Sequence, residues 1–207
     1  IFAYFCNVRL KNILDCFITS ENGIESKRMI LVPDENWRWI FDEQRQNILL
    51  DLTDDMQFTA AIPAKQLEKK SAFTESFTVD DSSHYFHFLE CLGEFPFTDP
   101  ERVQIVLNAI AAIKYARPLV SQSWFYQDVN MLSDMPELGE VFSVVTECMY
   151  GDVMVISPGS TASLCIVISQ SIQLDSDKSL KQSAICKLMN SKLLPYQAAT
   201  KYLAKMA

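Results

Sequence analysis

Two histidines, six cysteines and several adjacent acid pairs are the side chains of this chain that could do chemistry. His84 and His87 stand three residues apart. On a helix that spacing puts both imidazoles on one face, where they could begin a zinc site, with Asp80 and Cys91 as the nearest further ligands. The cysteines, at positions 6, 16, 91, 148, 165 and 186, are widely spaced and form no CxxC pair. That is the pattern of free thiols in a reducing compartment, not of a disulfide framework. Asp34–Glu35, Asp42–Glu43, Asp54–Asp55 and Asp80–Asp81 are adjacent in sequence. Neighbours on a strand point to opposite faces, and in loops they are solvated, so none suggests a general acid–base couple. The five glycines are scattered, with no two within six residues of each other. A phosphate cradle needs clustered glycines so that backbone N–H groups can crowd an anion, so neither a P-loop nor a dinucleotide fingerprint is present. No GxSxG elbow occurs either. The expectation is a protein that is not an enzyme, with no catalytic, cofactor or metal site.

Binding is a better use of the distinctive residues. Trp37 and Trp39 flank Arg38, so two of three tryptophans lie in one short segment. Strand alternation puts Trp37, Trp39 and Phe41 on one face and Arg38 and Ile40 on the other. The tryptophans either build the core or line an open pocket, since Trp and Arg are enriched at binding hot spots. Leu50 is a core candidate in the next strand, where a proline would remove a ladder hydrogen bond. Lys114 and Arg117 close a long helix. They either complement its dipole or form a basic spot on an acidic protein. Trp124 follows in a Ser–Trp pair. The candidate partner-binding residues are therefore Trp37, Arg38, Trp39, Leu50, Lys114, Arg117 and Trp124.

The elements that must position these residues are legible in outline. After the Trp37 strand, the polar run Asp42 to Asn47 turns the chain into a second strand, Ile48 to Leu52. A short strand near Met56 to Ala60 ends before Pro63. Asp80 or Asp81 could cap a helix carrying Tyr85, Phe88, Leu89 and Leu92, although Tyr85 and His87 alternate with Phe86 and Phe88 in a way that also suits a strand. The clearest helix runs from Pro100 to Ala116, with Asp99 as its cap and one stripe of Val103, Val106, Leu107, Ile110 and Ile113. Pro118 stops it. Strands follow at Trp124 to Gln127, Val141 to Met149, Val153 to Ile156 and Leu164 to Ile168. The links between the last three are too short for parallel crossovers, so they form an antiparallel meander. They are apolar on both faces, which predicts a twisted, barrel-like sheet. Two helical patterns close the chain, one from Ser179 to Leu194 and an amphipathic tail after Pro195. The fold class is α+β: an amino-terminal α/β region packed on a carboxy-terminal antiparallel β-barrel-like region with a terminal helix. The polar stretch Gln127 to Gly139 gives a boundary, dividing the chain into residues 29–127 and 128–207.

The chain has 207 residues, 49% of them hydrophobic, which supports a substantial core. No apolar run approaches the roughly 20 residues that span a bilayer. The net charge of −8 lacks the basic footprint that nucleic-acid binding needs. Residues 1–28 hold four basic residues (Arg9, Lys11, Lys27, Arg28) and three acidic ones (Asp15, Glu21, Glu25). Their apolar run is interrupted by Arg9, Lys11 and Asp15, and no small-residue cleavage site follows, so they do not read as a targeting segment.

An ordered series of motifs carries a family resemblance. MILVPDENWRW at Met29 is followed by ILLDL, FTVDDSSHYFHF, VLNAIAAIKYARP, the Ser123–Trp124 pair and AICKLMNSKLLP. Over about residues 29–200 the series resembles the ZapC family of bacterial Z-ring-associated proteins. The resemblance implies that residues 1–28 are an extension outside the family's fold. It implies the same two-region layout, with AICKLMNSKLLP as the last clear helix. It also implies a cytoplasmic, monomeric, non-enzymatic partner of the tubulin-like protein FtsZ, acting at the mid-cell Z-ring. Such a protein binds polymerised FtsZ, bundles its filaments and slows GTP hydrolysis. FtsZ-type proteins are acidic too, so docking would need a local basic or apolar contact. The rival expectation is a small-molecule or peptide-binding module whose pocket is lined by Trp37, Trp39 and Trp124.

Overall fold

A computed structural model describes residues 31–53, 56–68, 73–117, 119–121, 123–132 and 134–196. The Trp37 segment enters β1 (Arg38–Asp42), which turns into β2 (Asn47–Thr53), and β3 (Met56–Thr59) follows. Asp42 Oδ1 accepts from the N–H groups of Gln44 and Arg45, and Gln46 takes φ +50°, which closes the turn. A short β4 (Thr74–Ser76) completes an antiparallel sheet in the order β3-β2-β1-β4. The alternation read from the sequence holds. Trp37, Trp39 and Phe41 are buried, while Arg38 and Ile40 lie on the other face, half-buried.

Two helices cover the inner face, α1 (Val79–Cys91) and α2 (Asp99–Tyr115). Both begin with a capping box. Thr78 pairs with Asp81 and Thr98 with Glu101, each threonine oxygen accepting from the N3 N–H while the N3 carboxylate takes the cap N–H. The caps are therefore Thr78 and Thr98, and the acids expected at the caps lie within the first turn. Tyr85 and Phe88 in α1, and Leu92 at its C-cap, are buried, so the helical spacing prevails over the strand alternation. In α2 every residue from Ile105 to Ala112 is buried, which is a helix enclosed on all sides rather than one with a single stripe. Asn108 stays satisfied there: its Oδ1 accepts from Ala61 N–H at 2.6 Å and its Nδ2 donates to Gln104 O at 2.9 Å.

Beyond the tight 3-10 turn Ser123–Phe125 the chain builds β5 (Val141–Val145), β6 (Tyr150–Ser157) and β7 (Ala162–Val167), the antiparallel meander that short links require. The expected strand Trp124 to Gln127 is reduced to that turn and one bridge between Tyr126 and Thr146. A small hairpin, β8 (Ser171–Gln173) and β9 (Ser179–Lys181), precedes β10 (Ile185–Met189) and β11 (Leu194–Pro195). The main sheet runs β10-β7-β6-β5-β11, with β10 and β11 at its two edges. It is an open sheet, and no barrel closes among the described residues. The helix expected over Ser179 to Leu194, including AICKLMNSKLLP, is instead β9, β10, a 3-10 turn Asn190–Lys192 and β11. The tail expected to be helical lies beyond residue 196, outside the described residues, as do residues 1–28.

Double-sided burial, correctly read from the meander, explains the sheet's place in the molecule. Met154, Ile156, Ile166, Ile168 and Ile185 belong to the same core cluster as Trp37, Trp39, Leu50 and α2. Val153, Val155, Cys165, Val167, Cys186 and Leu188 turn the other way, into a second cluster with Tyr126, Phe142 and Ile172. Gly151 permits the β8–β9 hairpin to close on this face, since a Cβ there would lie 2.4 Å from Ile172 Cγ1.

Candidate functional site

The residues proposed from sequence fall into three groups. Trp37, Trp39 and Leu50 are sealed in the core. Trp37 meets Phe77 edge-on with ring centroids 5.1 Å apart, and Trp39 meets Tyr115 at 5.7 Å. Leu50 stands directly opposite Trp39 on β2. None of the three presents surface to a partner, so the open-pocket expectation for these rings is corrected. The three tryptophans do not share a pocket: Trp37 and Trp39 are buried, while Trp124 lies on the surface, in the 3-10 turn Ser123–Phe125.

Arg38 and Lys114 are tied to their own fold. The Arg38 guanidinium curls back to donate to the carbonyls of Glu35 and Trp37. Lys114 Nζ lies 2.8 Å from Asp81 Oδ2, a buried oxygen that also accepts from Trp39 Nε1–H at 3.3 Å and Thr78 N–H at 2.9 Å. The lysine expected to offer a basic spot thus serves an internal network joining α2, α1 and β1. Opposite charges at that distance largely cancel in the far field.

Arg117 and Trp124 are exposed. The backbone of Arg117 is held by donation to Gln66 O at 2.9 Å. Its side chain has no hydrogen-bond or ionic partner among the described residues. Trp124 is 69% exposed, with its ring 5.5 Å from that of Phe125. Its mount is firm. Ser123 is buried and its Oγ accepts from Met189 N–H at 2.9 Å, Tyr126 N–H donates to Ser123 O at 3.1 Å, and Gln127 N–H donates to Val145 O at 2.8 Å. A large apolar ring is therefore displayed in solvent from an anchored turn. Val120, shortly before it in sequence, and Met189, whose N–H is held by Ser123, are exposed as well.

A cation completes this surface that sequence reasoning missed. Lys178 Nζ sits 5.2 Å from the Phe125 ring centroid, a cation–π distance. It is placed by the β8–β9 turn, where Asp175 Oδ1 accepts its backbone N–H at 2.8 Å. Its position among the charged residues of the β8–β9 turn gave no hint of a distant aromatic. An open groove of about 430 Å³ also lies in this half, lined by Asn130, Leu132, Met135 and Asn190 among others, with no tryptophan.

The chemical candidates come out less reactive. His87 Nε2 lies 3.0 Å from Leu138 O and 3.7 Å from Cys91 Sγ. Gly139, at φ +79°, lets this loop approach, because a Cβ there would stand 2.6 Å from Cys91 Sγ. Burial and the neighbouring Glu90 carboxylate push the Cys91 thiol up, so it is a poor nucleophile despite the nearby imidazole. His84 stacks on Phe88. Among the described residues no three His, Cys, Asp or Glu side chains are placed to hold a metal ion. No described helix is long and apolar enough to cross a membrane.

Fold and surface together define an α+β protein whose two larger sheets share one core cluster and whose exposed Trp124 stands on an anchored turn beside Phe125 and Lys178. Comparison with known proteins gives the family. Residues 30–117 match the amino-terminal domain of the cell-division protein ZapC, and residues 118–199 match its carboxy-terminal domain. The chain is similar to "Cell division protein ZapC" of Tolumonas auensis, 80% identical over 179 residues, covering 86% of this chain and all of the relative. It is 33% identical to the protein of that name in Aeromonas hydrophila, over 83% of this chain and 96% of the relative. It is 31% identical to that of Photobacterium profundum, over 81% and 94% respectively. The chain belongs to the ZapC family of cell-division proteins.

Proposed function

We propose that this cell-division protein is a non-enzymatic adaptor that binds polymerised FtsZ in the cytoplasm at the mid-cell Z-ring. It acts as a monomer, stabilises and bundles the filaments, and lowers GTP turnover. Family membership supports the setting. The observation that carries the contact is the anchored, exposed Trp124 beside Phe125 and Lys178. An acidic adaptor meeting an acidic polymer gains little from its overall field, so a local aromatic surface with a cation suits the task. Arg117 adds a second exposed cation at the junction of the two matched regions.

Binding that favours the assembled state stabilises the polymer by mass action. Restrained subunit exchange then slows GTP turnover without any contact to nucleotide, which fits a chain lacking clustered glycines. Bundling needs two surfaces on one molecule, and the two-region layout offers one to each filament. The test is sedimentation of GTP-polymerised FtsZ with and without the chain, with light scattering and phosphate release followed in parallel. Co-pelleting, more scattering and slower release are expected. A chain left in the supernatant at both low and moderate salt would refute the proposal.

A further inference from the structure

Two of the four described cysteines face each other across a sheet. Cys165 on β7 and Cys186 on β10 are direct partners in the antiparallel ladder. Both side chains enter the second core cluster, so they share a face. Val167 N–H donates to Ala184 O and Asn190 N–H to Thr161 O, each at 2.9 Å. By alternation, Cys165 and Cys186 occupy a hydrogen-bonded pair position, where Cα atoms lie about 5.5 Å apart. That falls within the Cα separation of disulfides, while the Cβ atoms of such a pair stand about 5 Å apart against about 3.8 Å in a relaxed disulfide.

We infer that Cys165 and Cys186 form a reversible disulfide, closed by a low-molecular-weight disulfide such as oxidised glutathione, that staples the edge strand β10 to β7. In the closed sheet both thiols are inert. Burial pushes Cys186 up to about 12 and Cys165 well above the usual thiol range. Reaction therefore waits on β10, an edge strand paired on one side only, lifting from the sheet. The Cys186 thiolate then attacks a glutathione sulfur, forming a mixed disulfide and releasing one glutathione thiolate. The Cys165 thiolate attacks the Cys186 sulfur and expels the second. The two protein protons end on the two glutathiones, and oxidised glutathione takes the two electrons. The Cβ spacing makes the product strained, and strained disulfides are the more readily reduced ones, so the staple opens again under a reducing poise. The same strand holds Ser123 through Met189 N–H, so the staple would also stiffen the mount of Trp124.

The test treats the full chain with oxidised glutathione, traps remaining thiols by alkylation, and maps a digest that separates Cys148 from Cys165 by mass spectrometry. A Cys165–Cys186 peptide pair lighter by two hydrogens, released by dithiothreitol, is expected. In Cys165→Ser, Cys186 should appear instead as a glutathione adduct. Exposed Cys148 reports that the reagent has acted. Recovery of Cys165 and Cys186 as alkylated thiols while Cys148 is modified would overturn the inference, as would their bonding to other cysteines.

Discussion

Asp81 Oδ2 takes donors from Lys114, Trp39 and Thr78, so one carboxylate joins a helix end, a helix start and a strand. Asp81→Ala would leave the Lys114 ammonium, only 21% exposed, without its counter-charge and the Trp39 N–H without an acceptor. We expect it to cost about 3 kcal/mol in urea unfolding. Lys114→Glu would set two carboxylates together and should also destabilise, so any loss of filament binding in that variant would be a folding effect. Trp124→Ala removes a ring that supports no core contact, and its stability should stay within about 0.5 kcal/mol of the parent. The contrast shows what was legible. Alternation around Arg38 announced two rings on a common face, and burial followed from pleat geometry. Pairing of Lys114 with Asp81, and of Lys178 with Phe125, joins residues far apart in sequence, and local spacing carries no information about such partners. The capping boxes were written locally, as Thr78-x-x-Asp81 and Thr98-x-x-Glu101. The acids drew attention one to three residues late because they prefer the same turn.

At the scale of elements, α2 depends on its first turn. Thr98→Ala should cost about 1 kcal/mol by urea unfolding, the usual value of an N-cap. The Glu101 carboxylate, holding the Thr98 N–H and hydroxyl, lies below its ordinary value. A depressed carboxylate adds stability above its unfolded value and loses it as pH falls through the folded one. Glu101→Gln should therefore flatten stability against pH on the acid side, below the ordinary glutamate value. Asp152 on β6 has the opposite sign. Burial pushes it up, against the opposing hydrogen bond from Ser143. Its ionisation costs stability as pH rises from the ordinary aspartate value through the raised one. Asp152→Asn, which keeps an acceptor for Ser143, should gain stability over the parent at neutral pH and lose that gain in acid. The Ser179 to Leu194 stretch shows where local pattern stops deciding. Ile185 faces one core cluster while Cys186 and Leu188 face the other, so the apolar run satisfies a helix and a strand buried on both faces equally well. Pairing with β7 settles it, and that partner lies outside the window.

For the whole molecule, the shared core has a thermodynamic consequence. Met154, Ile156 and Ile166 from the second half pack in one cluster with Trp37, Trp39 and α2 from the first. The two regions should unfold together, with tryptophan fluorescence and far-ultraviolet circular dichroism giving coincident urea transitions; two separated transitions would show independent halves. The antiparallel meander was readable because link lengths forbid parallel crossovers. An open sheet in place of a barrel was not, since closure depends on how edge strands meet. On the proposed reading, the grip on the polymer rests on the exposed Trp124 and Lys178 patch, which can be removed without touching either core cluster. The most direct measurement is co-sedimentation of the Trp124→Ala, Lys178→Glu double variant with GTP-polymerised FtsZ, after circular dichroism has shown native folding. The account predicts at least tenfold weaker co-pelleting than the parent; parental binding by the folded variant would contradict it.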